Sequence, residues 1–138
     1  MIHLIYISSA TSWPTERDLT ELLEQARARN IRQNITGMLL YGNATYMQLL
    51  EGEEKDVHEI YGAIKKDPRN NSVVTLLEEG ITERDFPDWS MGFRNLTACS
   101  PGELAGFSDI FQQGLDKGAV LKNNKVAKKL LLNFATNV

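Results

Sequence analysis

The chain has 138 residues, room for one hydrophobic core and too few for two ordinary domains. Its 42% hydrophobic and 24% charged residues exclude a disordered, fibrous or membrane-embedded chain, and its single cysteine, Cys99, excludes an internal disulfide framework and a multi-cysteine zinc site. The net charge of −3 divides into 15 acidic and 10 basic residues over 1–97 and 3 acidic and 5 basic over 98–138, so the body lacks the positive face that a nucleic acid backbone requires.

No apolar run reaches the roughly 18 residues of a membrane span, and the opening MIHLIYISS lacks the basic region and cleavage site of a signal peptide, so a cytoplasmic location is expected. The run Ile2-His3-Leu4-Ile5-Tyr6-Ile7 is apolar apart from its histidine and rich in β-branched residues, which predicts a central strand covered on both faces. After Pro14, Thr15-x-x-Asp18 resembles a capping box, and Leu19, Leu22, Leu23 and Ala26 recur at helical spacing, predicting an amphipathic helix that ends near Asn30. The runs Ile35–Tyr41 and Thr45–Leu50, separated by Gly42-Asn43-Ala44, predict an antiparallel hairpin. Val57, Ile60, Tyr61 and Ile64 predict a second helix, stopped by Pro68. Val73–Leu77 and Trp89–Phe93 supply two further strands, the second alternating Trp89, Met91 and Phe93 against Ser90, Gly92 and Arg94.

The resulting order is βαββαββ, an α+β sheet with two helices on one face. By parity His3, Ile5, Ile7, Met47 and Leu49 point to the other face. Beyond the Ser100-Pro101-Gly102 break, Leu104, Phe107, Phe111 and Leu115, then Val126, Leu130 and Phe134, follow near-helical spacing, and these C-terminal helices are assigned to cover that face. Residues 1–97 are thus expected to form the core and 98–138 a helical cap of the same domain, with no output domain following.

Several residues could carry chemistry. Tyr6 is either a core tyrosine or a redox-active phenol, and strand position alone favours the core. Gln48 interrupts the apolar run Met47-Gln48-Leu49-Leu50, and each of its polar groups left unpaired would cost about 1–3 kcal/mol, so it points to a partner and not to packing. Asn30 reads as a helix C-cap or a ligand contact, with local grounds favouring the cap. His58 lies beside the apolar stripe of its helix and His3 has no second ligand at metal spacing, so both read as structural. Cys99 has no nearby histidine to activate it, and the phosphate-loop, dinucleotide and nucleophile-elbow patterns are missing from the sequence.

Taken together, Leu4-Ile5-Tyr6-Ile7-Ser8, Asn30-x4-Ile35-Thr36-Gly37-Met38-Leu39, Gln48-x-Leu50-Glu51-Gly52, Asp67-x-Arg69 and Phe86-x2-Trp89-Ser90-Met91 resemble the BLUF family of blue-light sensors that bind FAD. The resemblance covers about residues 1–97. It implies a ferredoxin-like sheet with a noncovalent flavin held between the two helices, Tyr6 and Gln48 as the photoactive pair, Asn30 at the flavin's polar pyrimidine edge, and Asp67 and Arg69 near its ribityl and phosphate end. In this family the excited flavin draws an electron and a proton from the tyrosine, and the glutamine is left rearranged after recombination. Trp89 and Met91 match the residues implied to relay the signal, and the sequence leaves open which of them faces the flavin. Asn70 stands where several relatives carry histidine and Ala63 where some carry a basic residue. These departures loosen the implied grip on the phosphate tail, so FMN or riboflavin stand beside FAD as candidate cofactors. Tyr46, two residues from Gln48 on the same strand face, is a packing residue or a second electron donor.

The expected function is a blue-light photoreceptor that switches its interaction with a separate signalling protein, without an enzymatic output and as a homo-oligomer. A light-insensitive ferredoxin-like interaction module is the alternative, and a small enzyme using Cys99 or His58 is the remote one.

Overall fold

A computed structural model describes residues 1–88 and 90–95. The elements run β1 (Ile2–Ala10), α1 (Glu16–Gln33), β2 (Thr36–Gly42), β3 (Thr45–Gly52), α2 (Glu54–Lys66), β4 (Asn70–Gly80) and β5 (Gly92–Asn95). They form one sheet in the order β4-β1-β3-β2-β5, antiparallel except for the parallel β2–β5 pair. This is the α+β, ferredoxin-like arrangement anticipated from the sequence.

Local chemistry explains the elements. Thr15 and Asp18 form a reciprocal capping box, each side chain bonding the other's backbone N–H. Asn43 and Ala44, with φ of 51° and 59°, make the two-residue turn between β2 and β3, where left-handed geometry matches the twist of the paired strands. α2 stops before Asp67-Pro68 because proline cannot continue the backbone ladder. A register shift between Ile7 and Ser9, with Ser72 at φ 53°, bends β4 along its pairing with β1.

Three boundaries depart from expectation. α1 runs to Gln33, and Asn34, not Asn30, takes the left-handed cap position at φ 54°. The helical stripe Leu19, Leu22, Leu23, Ala26 continues to Asn30, which keeps that side chain inward. β4 extends beyond Val73–Leu77 in both directions. The last strand begins at Gly92 and not at Trp89, since its pairing with β2 starts at Met38↔Gly92 while Ser90 and Met91 form a bend.

Parity sorts the sheet into two faces. Leu4, Tyr6, Leu39, Tyr41, Tyr46 and Leu50 pack with Leu19 of α1 and with Val57, Ile60, Tyr61 and Ile64 of α2. Burying each large side chain stabilises the fold by about 1.5–3 kcal/mol. His3, Ile5, Met38, Leu40, Met47 and Leu49 on the opposite face are buried as well. The helices assigned to cover them, together with Cys99 and Trp89, lie outside the described residues.

Candidate functional site

β1 and β3 bring Tyr6 and Gln48 directly opposite each other at the centre of the sheet, on the helix side. The Tyr6 hydroxyl donates to Gln48 Oε1, and Gln48 Nε2 donates to Met91 Sδ at 3.4 Å. All three residues are buried. The glutamine that was anomalous in an apolar run therefore has one partner for each end of its amide. Burial pushes the Tyr6 phenol well above its ordinary value near 10, with the nearby Arg29 guanidinium pulling slightly the other way.

This pair lies in the wall of a cleft between α1 and α2, lined also by Ala26, Arg29, Tyr46, Asp67 and Arg69. At its outer end a second cavity of about 300 Å³ shares Leu22, Tyr46 and Arg69 and opens past Thr11, Asp18 and Glu21. Arg69 grips Asp67 through Nε at 3.0 Å and through its backbone N–H at 2.9 Å. The hydrogen bond from Arg69 holds the Asp67 carboxyl below the usual range, and Asp67 raises Arg69 in return. Asn70, the departure noted at the phosphate end, accepts from Ser8 Oγ and donates to the Ile64 carbonyl, tying β1 to α2 beside the cleft.

Asn30 is fully buried but does not line the cleft. Its Nδ2 donates to the Ser90 carbonyl at 2.7 Å, and its Oδ1 has no hydrogen-bond partner among the described residues. Arg29 Nε is likewise buried without one. Burial lowers Arg29 from its ordinary value, with Tyr6 and Asp67 opposing that shift. In the cleft wall, the guanidinium nitrogen of Arg29 without a partner among the described residues, beside aromatic and amide side chains, is a donor that fits the polar edge of a planar heteroaromatic ring. Sequence reasoning missed Arg29. The available signal was a cation set one turn beyond Ala26 on an apolar helical face.

Tyr46 packs its ring against Tyr41 with centroids 5.1 Å apart, and burial pushes its phenol up to about 12. The histidines lie elsewhere. His3 Nε2 bonds Glu79 Oε1 at 2.6 Å and His58 pairs with Glu78, both glutamates on β4. Among the described residues no group of histidine, cysteine and carboxylate side chains is arranged to hold a metal, and no helix is long and apolar enough to cross a membrane.

A family model for BLUF, sensors of blue-light using FAD, matches residues 1–92. Photoactivated adenylate cyclase subunit beta of Euglena longa is 39% identical over 105 residues, which span 75% of this chain and 12% of that protein. The blue light- and temperature-regulated antirepressor BluF of Escherichia coli (strain K12) is 34% identical over 115 residues, 83% of this chain and 27% of that one. The chain thus spans only a small part of these curated relatives. The dark-state structure of BlrB, a BLUF protein, superposes with a TM-score of 0.72 at 29% identity, covering 99% of this chain and 96% of that chain. With the family model matching residues 1–92 and the fold shared with BlrB, the chain belongs to the BLUF family of blue-light sensors.

Proposed function

We propose that this chain binds flavin noncovalently in the cleft between α1 and α2, switches through Tyr6 and Gln48 under blue light, and passes its state to a separate partner protein. The observation that carries the reading is the buried hydrogen bond from Tyr6 to Gln48 in the wall of that cleft. When bound, the flavin supplies blue absorption and an electron-accepting excited state. Arg29, in the cleft wall, would meet the ring's polar edge, and Asn30, next to it in the chain but outside that wall, would have to swing its amide into the cleft to join it, while Asp67 and Arg69 would lie toward the tail. Asp18 and Glu21 on the outer rim oppose a diphosphate, which supports FMN or riboflavin as ligands beside FAD.

Tyr6 holds its proton on a hydrogen bond to Gln48, and burial keeps the phenol neutral at every physiological pH. It is therefore an intact source of one electron and one proton. Gln48 offers an acceptor to Tyr6 and a donor to Met91. Rotation or tautomerisation of the amide exchanges those ends and alters both contacts without large motion. Met91 in turn precedes β5, so the change reaches the sheet edge. A partner or a second copy of the chain that prefers one arrangement would read the population. The name antirepressor carried by the Escherichia coli relative supports a protein partner.

Absorption spectra of the purified protein in the dark, under blue light and during dark recovery test this reading. A flavin spectrum that shifts slightly to the red and returns is expected. Bound flavin without a reversible shift would leave a light-insensitive interaction module.

A further inference from the structure

We propose that Glu51 is a positioning residue for the switch, holding the 84–86 segment so that Met91 and Ser90 meet Gln48 and Asn30. This rests on the light-switch reading above. Glu51 lies three residues beyond Gln48 on β3, on the opposite face, and is completely buried. Its Oε1 accepts from the Phe86 N–H at 2.7 Å and from Thr36 Oγ1 at 2.9 Å, and its Oε2 accepts from the Asp85 N–H at 2.8 Å. Arg84 completes the tie, donating to Thr36 Oγ1 at 2.9 Å, to the Glu51 carbonyl at 3.0 Å and to the Asn34 carbonyl at 2.7 Å.

A carboxylate is costly to bury, and this one is held by two consecutive backbone N–H groups and a hydroxyl. Those bonds fix where the chain leaves residue 86. Four and five residues later the same segment is caught again: the Ser90 carbonyl accepts from Asn30, the Met91 carbonyl accepts from Arg27 Nε at 3.0 Å, and Met91 Sδ faces Gln48. β3 therefore carries the switching amide on one face and, on the other, the anchor of the segment that contacts it. Released at Glu51, residues 87–91 would lose one of their two fixed ends, and the position of Met91 against Gln48 would no longer be set by the sheet.

The test compares the full chain, flavin-loaded and flavin-free, with Glu51→Gln and Thr36→Val. An amide at position 51 aims its NH₂ at a backbone N–H in either orientation, so Glu51→Gln breaks the tie with almost no change in size. In that variant flavin uptake is expected to persist, the return of the red-shifted spectrum in the dark to change by about threefold or more, and the Met91 methyl resonance to move in both forms while Met47 stays in place. Thr36→Val is expected to act in the same direction with smaller size, and serves where Glu51→Gln fails to fold. An unmoved Met91 methyl with unchanged recovery overturns the proposal, and so does a spectrum in which Met47 moves as much as Met91, the mark of a generally loosened sheet. Should the parent protein show no light response, the photoswitch reading fails, and the Met91 methyl in the flavin-free protein still decides the role of Glu51.

Discussion

Tyr6 and Tyr46 are buried phenols on neighbouring strands of the helix-side face, and their ionisation is suppressed mainly by burial. In the unfolded chain both would ionise near pH 10, whereas in the fold Tyr46 does so at about 12 and Tyr6 resists longer. The folded state then binds more protons than the unfolded one, so the stability they contribute is complete below about pH 10 and is lost as pH rises through the folded values. Urea midpoints measured across that range should fall with pH, and Tyr46→Phe should flatten the decline. At the site itself, Tyr6→Phe removes the donor to Gln48 and Gln48→Leu removes the amide. Each is expected to retain bound flavin and to abolish the reversible red shift, as followed by difference spectroscopy.

The hairpin and the paired strands make predictions of their own. Ala44 occupies a left-handed position where a Cβ costs roughly 1–2 kcal/mol. After allowing for the extra freedom of glycine in the unfolded chain, Ala44→Gly should stabilise by about 0.5–1 kcal/mol, measured as a higher urea midpoint. At Gly37 a Cβ would stand 1.9 Å from the Leu49 carbonyl oxygen, so Gly37→Ala must push β2 from β3 and should cost about 2 kcal/mol or more. Such elements were readable in the sequence wherever one local rule decided the outcome: the capping box at Thr15, the turn at Asn43-Ala44, the stop at Pro68. They were misread where a tertiary partner decides. Asn30 looks like a cap until the stripe from Leu19 is carried one more turn, and Trp89–Phe93 alternates like a strand although pairing with β2 begins only at Gly92. Tyr6 and Gln48 could be singled out because family motifs and an out-of-place amide converge on them, and the fold sets them in one hydrogen bond. Arg29 and the anchoring bonds of Glu51 were not, since neither the fate of a cation on an apolar face nor the partners of a strand carboxylate can be read from spacing alone.

For the molecule as a whole, the cleft-wall nitrogen of Arg29, buried without a partner among the described residues, implies stability that a ligand in the cleft would add. A ligand present at a hundred times its dissociation constant stabilises by about 2.7 kcal/mol, so added flavin should raise the melting temperature by several degrees. Calorimetric melts with riboflavin, FMN and FAD in turn would show what the tail contributes, and the acidic rim predicts little gain from the diphosphate. The strand order carries one more consequence, for how the protein comes into being. β1 is made first yet sits between β3 and β4, whose residues Thr45–Gly52 and Asn70–Gly80 follow far behind it. At about 5–20 residues per second the ribosome needs roughly 4–14 s to supply the second neighbour. Until residue 52 has been made the apolar segment Ile2–Ile7 has both edges bare, and until residue 80 it still has one, the kind of unpaired edge on which nascent chains stick to one another.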